Sequence, residues 1–280
     1  MNGFCFQCIR HRYKKIYNFT KGSFFDEYKQ KHIEEIIEIF KCFIEFKFNV
    51  TAAYNYLRNT RHINLSEAFV RKVYDKIRKY IYYYYLLEYN TEFIGDYNQN
   101  RYYAIDESMF CHDINKQQLW VLGLLDTKTK EFPLVVAKHR NTESLKSFIK
   151  KLIPEGNNLV TDGWHGYDWV DNANSGYTRY LHIHDHHDFG YGPESTSHIE
   201  SIWAQLKSEI KTTYKMIPCQ KFLYFLLEVE WKIKTKNLNY EEKLQDYFEK
   251  YNLVVTVGES NIFDSVFLNN DDLNLIINSE

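Results

Sequence analysis

The chain has 280 residues, 44% of them hydrophobic and 18% aromatic, with a formal net charge of -2. That length admits one large core or two modest domains, and the near-neutral balance excludes a protein that holds nucleic acid by bulk charge alone. Five scattered cysteines, at positions 5, 8, 42, 111 and 219, form no disulfide framework and fit a reducing compartment.

The average hides an asymmetry. Residues 1–90 carry 16 Lys and Arg against 9 Asp and Glu, whereas residues 251–280 carry five acids and no Lys or Arg. A basic front and an acidic tail point to a polyanionic partner, or to two ordinary solvated faces. The cluster Arg10–Lys15 lacks a following apolar stretch, so no secretion signal is read, and the apolar run 81–87 is too short to span a bilayer.

In chain order, Cys5 and Cys8 come first. They form a C-x-x-C pair followed by Arg10, His11, Arg12, Lys14 and Lys15. Tetrahedral zinc needs four ligands, and the pair supplies two, with His11 a third at an unusual spacing. The alternative is two unligated cysteines. Residues 23–48 read as one helix and 51–57 as a second. A third, over 68–87, has Asn64 or Ser66 as its cap. Its apolar stripe is Val70, Val73, Tyr74, Ile77 and Ile81, beside a basic face of Arg71, Lys72, Lys76, Arg78 and Lys79. This suits a helix-turn-helix-like DNA-binding region over 21–90, although a plain helical bundle gives the same pattern.

A polar linker, 89–101, leads to a central domain. Strands are predicted over 102–105, 119–126 and 132–137, the last two joined as a hairpin through 126–130. A helix over 142–152 ends before Pro154. Then follow a strand 159–161, a short helix 164–170, a strand 180–184, a glycine-bearing loop and a helix 197–212. The order implies a mixed α/β sheet covered by helices. Further helices are predicted over 222–231 and 240–247.

Three acids stand out. Asp106 and Asp162 each follow an apolar run and are placed at strand ends, and Glu200 sits three residues before Trp203 on a helix. Ionised carboxylates are rarely buried unless paired or bound to metal. Three brought together would oppose joint ionisation, and a divalent cation would reverse that cost. Asp126, Asp168, Asp171, Asp185 and Asp188 compete for the role. Glu107, next to Asp106 on an extended chain, points the other way and is read as a supporting or surface residue. The cluster His182, His184, His186 and His187 is either a zinc site, a set of groups flanking the carboxylates, or a polar strand end. Trp164 and Trp203 are read as packing beneath the site, with Trp164 alternatively stacking on an unpaired base.

Four segments, in order, carry a family resemblance. They are Ala-Ile-Asp-Glu-Ser-Met-Phe at 104–110, Leu-Trp-Val-Leu-Gly at 119–123, Val-Thr-Asp-Gly-Trp-His-Gly-Tyr at 160–167, and Thr-Ser-His-Ile-Glu-Ser-Ile-Trp-Ala-Gln-Leu-Lys at 196–207. Over about residues 100–235 the chain resembles the ISXO2-like transposase domain of the IS1595 and Merlin-type group. The resemblance implies an RNase H-like fold and a catalytic set of Asp106, Asp162 and Glu200. It further implies two Mg²⁺ or Mn²⁺ ions held by those acids, and cleavage and joining of double-stranded DNA at terminal repeats and target sites. It also implies a zinc ribbon ahead of the domain. Cys5 and Cys8 resemble its second knuckle, so 1–20 is expected to be a ribbon remnant with at most a residual zinc site. Family members tend to have Asn where this chain has Ser197, and the basic residues after the first Asp are reduced here to Lys116.

The expected domains are therefore the ribbon remnant 1–20, the helical region 21–90, the catalytic domain 100–235 and an extension 236–280 with the acidic tail. Arg71, Lys72, Lys76, Arg78, Lys207 and Lys211 are the expected DNA contacts, with His184, His186 and Trp164 flanking the site. The expected activity is that of a DDE-type transposase. It acts as a homo-oligomer on DNA, without membrane association, in the nucleus of a eukaryotic host or otherwise in the cytoplasm. Two alternatives stand beside it: a decayed or domesticated DNA-binding derivative, and a metal-dependent nuclease that does not join strands.

Overall fold

The computed structural model describes residues 23–28, 33–46, 49–91, 101–112, 118–137, 140–182, 196–211 and 219–258. The chain divides into two compact units. One is built from Met1–Tyr84 and Thr235–Glu259, the other from Tyr85–Lys234 and Ser260–Glu280.

The first unit is helical. Helix α1, Ile33–Glu45, buries Ile36, Ile39, Phe40 and Phe43, the three-and-four spacing of one helix face. Helix α2, Val50–Asn59, starts at Asn49, whose side chain accepts the Ala52 N–H. Helix α3, Glu67–Thr91, starts after Ser66, whose hydroxyl accepts the Phe69 N–H at 3.2 Å. The predicted helix 23–48 is shorter in fact. A 3-10 turn, Asp26–Tyr28, precedes α1 and delivers Phe24 into an aromatic core with Phe40, Tyr247 and Tyr251.

The last two rings come from the last helix of the described residues, α7, Tyr240–Val257. It runs ten residues beyond the predicted end at 247. A reciprocal cap between Asn239 and Glu242 begins it, and Gly258 at φ 87° ends it.

The second unit holds a five-stranded sheet in the order β3-β2-β1-β4-β5. The strands are β1 Tyr102–His112, β2 Gln118–Asp126, β3 Leu134–Ala137, β4 Asn158–Thr161 and β5 Thr178–Leu181. β1, β2 and β3 are antiparallel in succession, and β4 and β5 run parallel to β1. Helix α4, Thr142–Leu152, returns the chain from β3 to β4, and a 3-10 segment, His165–Asp171, links β4 to β5. Helices α5, Ser197–Lys211, and α6, Cys219–Lys234, complete the unit. This mixed sheet with flanking helices, preceded by a helical region, is the RNase H-like architecture expected.

Two strand expectations are corrected. β1 does not stop at 105 but continues to His112, because β2 pairs with it from Tyr103 to His112, with a register shift between Met109 and Cys111, while parallel β4 pairs only with Tyr102, Tyr103 and Ala104. β5 ends at Leu181, so His182 follows the strand and does not alternate along it. No helix among the described residues is long and apolar enough to cross a membrane.

Candidate active site

The parallel ladder between β1 and β4 ends at the pair Ala104↔Val160. Asp106 and Asp162 each lie two residues further on, so the two acids leave neighbouring strands in the same row. Asp106 is thus inside a strand and not at its end. It faces Gly123 of β2 on one side and has lost its parallel partner on the other. The carboxyl ends of parallel strands are where α/β sheets place their sites, since the helices that follow leave a crevice there.

Asp106 is held from below. Trp203 of α5, 4% exposed, donates its indole N–H to Asp106 Oδ2 at 2.8 Å. The ring fits because Gly123 has no side chain, and a Cβ there would overlap it. Burial pushes the Asp106 carboxyl up to about 6, and the charge of Glu107 adds to the rise while the indole N–H opposes it.

Asp162 is held by its own loop and by β5. Its Oδ1 accepts the Trp164 N–H at 3.0 Å. Arg179, opposite Leu159 in the ladder, donates to Thr161 Oγ1 at 2.9 Å and to the Asp162 carbonyl at 3.0 Å. The same guanidinium reaches Asp168 and Asp171 at 3.2 and 2.9 Å, so one nearly buried cation laces the loop together. Sequence reasoning passed over Arg179, which stands just ahead of the strand predicted over 180–184 and joins it only in the structure.

Glu200 lies in the first turn of α5 and is half-buried. Its Oε1 accepts the Thr196 hydroxyl at 3.0 Å, and that hydroxyl is 3.1 Å from His182 Nδ1. Among the described residues no three His, Cys, Asp or Glu side chains are grouped so as to hold a metal ion. One oxygen of Asp106 and one of Glu200 are instead engaged by the indole and the hydroxyl.

Glu107 is neither a surface residue nor free. It is 7% exposed, and it accepts from Arg140 Nε at 2.7 Å and from the Tyr167 hydroxyl at 2.5 Å. It points away from Asp106, as alternation along a strand requires. Trp164 carries Arg140 4.2 Å from its ring centre and packs edge-on with Tyr167. A Cβ at Gly166 would overlap that ring, so Trp164 is engaged in packing.

The competing acids have structural partners. Buried Asp126 anchors its hairpin turn by accepting the Lys128 and Thr129 N–H groups, and pairs with Arg101 at 2.8 Å. Asp168 and Asp171 belong to Arg179. Cys5, Cys8, Asp185, Asp188, His184, His186 and His187 lie outside the described residues.

The predicted basic face of α3 splits. Arg71 and Lys72 are exposed. Lys76 is 9% exposed, donates to the Phe24 carbonyl at 2.8 Å and lies over the Phe24 and Tyr28 rings. Arg78, 4% exposed, lies over Phe43 and Tyr74. Both are therefore removed from the expected DNA-facing set, because neighbouring aromatic rings enclose α3 around them. Lys207, half-buried on α5, places its ammonium 5.6 Å from the Phe110 ring centre. Lys211 is the last residue of the same helix.

A family model described as the ISXO2-like transposase domain matches residues 87–234. No curated protein matches the chain. Among solved structures the chain is similar to one in "CryoEM structure of simian T-cell lymphotropic virus intasome in complex with PP2A regulatory subunit B56 gamma". That likeness is 15% in identity, covers 72% of this chain and 69% of that one, and has a TM-score of 0.36.

Proposed function

This chain belongs to the ISXO2-like transposase domain family, whose match spans just over half of it, and from that premise we propose that it is a DNA transposase, cleaving and joining phosphodiester bonds at transposon ends. The observation that carries the reading is the row formed by Asp106 and Asp162, each two residues past the last parallel pair. Glu200 on α5 is the third acid of the set.

The donor set suits hard divalent cations, since all three side chains offer oxygen and none offers sulfur or imidazole. The raised carboxyl of Asp106, buried beside Glu107, is the kind of strain that a cation relieves. Asp106, Asp162 and Glu200 would hold two Mg²⁺ or Mn²⁺ ions. Such ions support both the attacking and the leaving oxygen of an in-line displacement.

The chain's own residues supply position. Trp203 fixes Asp106, Arg179 and the Trp164 N–H fix the Asp162 loop, and Thr196 holds one oxygen of Glu200. Water is the first nucleophile and releases a 3′-hydroxyl. That hydroxyl is the second nucleophile: its oxygen bonds to a target-strand phosphorus as the bond from that phosphorus to the target's own 3′ oxygen breaks, leaving a new 3′-hydroxyl on the target. Arg71 and Lys72 on α3, with Lys207 and Lys211 on α5, contact DNA phosphates. Pairing two ends calls for at least two copies of the chain. Because genomic DNA is the substrate, the site of action is the nucleus in a eukaryotic host and the cytoplasm otherwise.

The test is a cleavage and strand-transfer assay with Mg²⁺ or Mn²⁺ on duplexes carrying the terminal repeats that flank the gene. The parent chain is compared with Asp106→Asn, Asp162→Asn and Glu200→Gln. Loss of both reactions in all three variants is expected, by ~10²-fold or more given the weight of charge stabilisation in such steps. Full activity in the variants would refute the site. Cleavage without joining would make the protein a nuclease, and binding without cleavage a decayed or domesticated DNA-binding derivative.

A further inference from the structure

Arg140 has no part in the chemistry above, yet it sits between the segments that carry both aspartates. Its Nε donates to Glu107, the residue after Asp106. Its guanidinium carbon is 4.2 Å from the centre of Trp164 and 5.1 Å from that of Trp120. Trp164 in turn gives its backbone N–H to Asp162. The guanidinium is therefore fixed from two directions, by one charge-assisted hydrogen bond and two indole rings.

Neutralising buried Glu107 explains the positive charge but not this geometry, since an ammonium would meet the same need. A guanidinium held through Nε keeps its two terminal nitrogens for a further acceptor. Among the described residues nothing pairs with those nitrogens, and 32% of the side chain remains exposed. What they present is a planar fork of donors, a match for two oxygens of one phosphate. Because the side chain is already ordered, little rotamer freedom remains to be lost on binding.

We propose that Arg140 is a DNA-binding residue, contacting a backbone phosphate of the strand that lies over Asp106 and Asp162, with Glu107, Trp120 and Trp164 setting its orientation beforehand. The proposal rests on the transposase reading but concerns binding, so it is tested without chemistry.

The experiment uses the full chain with Asp106→Asn, to prevent cutting, and a fluorescently labelled duplex of mixed sequence, because phosphate contacts are sequence-independent. Affinity is measured across a salt series. The informative variant is Glu107→Gln with Arg140→Gln, which removes both charges of the pair, strands neither and leaves net charge unchanged. Loss of a phosphate contact predicts several-fold weaker binding and a salt slope lower by about 1. If Arg140 only balances Glu107, affinity and slope will match the parent, and the proposal is overturned.

Arg140→Lys keeps the charge and tests the fork. Several-fold weaker binding with an unchanged melting temperature supports the proposal, and parent affinity overturns it even if the double variant folds poorly. A wild-type chain that binds the duplex but cuts no DNA in Mg²⁺ would end the transposase reading while leaving this comparison decisive on its own terms. A chain that does not bind at all would end both.

Discussion

Trp203 and Asp106 are 97 residues apart in sequence, yet the indole N–H of one meets a carboxylate oxygen of the other at 2.8 Å. The bond ties α5, which carries Glu200, to the strand that carries the first aspartate. It is also the only side-chain donor to Asp106 among the described residues. Trp203→Phe deletes the donor and shortens the buried ring. We expect a stability loss of ~2–4 kcal/mol, from the space the smaller ring leaves together with the lost bond to a buried carboxylate. Its loss also removes a group that favours the ionised carboxylate, so the pH–rate profile should move to higher pH. Urea melts and a pH–rate series check both, and an unmoved profile would show that the bond does not set the state of Asp106.

The pH dependence of stability follows from the same carboxyl. Its folded value of about 6 lies above the usual carboxylate value, first because it is buried and then because of Glu107. The native state then binds the proton more tightly than the unfolded chain. The contribution is full in acid and is lost as pH rises from ~4 through about 6. Relative to Asp106→Asn, the metal-free protein should lose ~1–3 kcal/mol between pH 4 and pH 8. Mg²⁺ favours the ionised form, so it should raise the melting temperature more at pH 8 than at pH 5. A parent-minus-variant difference that is flat with pH would contradict the burial argument.

Arg179 is predicted to matter to activity through the Asp162 loop. Arg179→Gln removes a nearly buried cation that meets Thr161, Asp162, Asp168 and Asp171. A cost of ~2–4 kcal/mol is expected, since charge-assisted bonds are lost together. Arg179→Lys should recover part of the stability but little cleavage, because a point charge cannot bridge the same partners. Equal recovery of both would mean that the loop needs only the charge.

The two halves of the predicted basic face should separate cleanly. Arg71→Gln with Lys72→Gln removes two exposed cations and should lower the salt slope of DNA binding by about 2 with little change in melting temperature. Lys76→Met should do the reverse. It leaves the Phe24 carbonyl without its donor and alters stability by ~1–3 kcal/mol, while DNA affinity holds. Fluorescence anisotropy and thermal melts on the same samples decide it.

The strand–helix order and the helical front were legible because they depend on local pattern. Alternation, three-and-four spacing and a capping residue such as Ser66 leave their mark within a few positions. The reach of β1 past Asp106 was not legible, since it depends on β2 pairing along a segment whose own alternation is weak. The burial of Lys76, Arg78 and Glu107 was hidden for a similar reason. Helix or strand periodicity says which residues share a face, but not what covers that face. Gly123 and Gly166 appeared only as parts of motifs, and their meaning came from the tryptophan rings that occupy the space a Cβ would need.

The sequence by itself determined the family and the α/β class, and it singled out the three acids as candidates, because residue types and their order carry those. Only the tertiary structure decided that Asp106 and Asp162 stand in one row, that Trp203 reaches the first and Arg179 the loop of the second, and that Glu107 and Arg140 are locked together. These are contacts between segments tens of residues apart. Sheet register and helix docking set them, through hydrogen bonds and ring packing that no local pattern encodes.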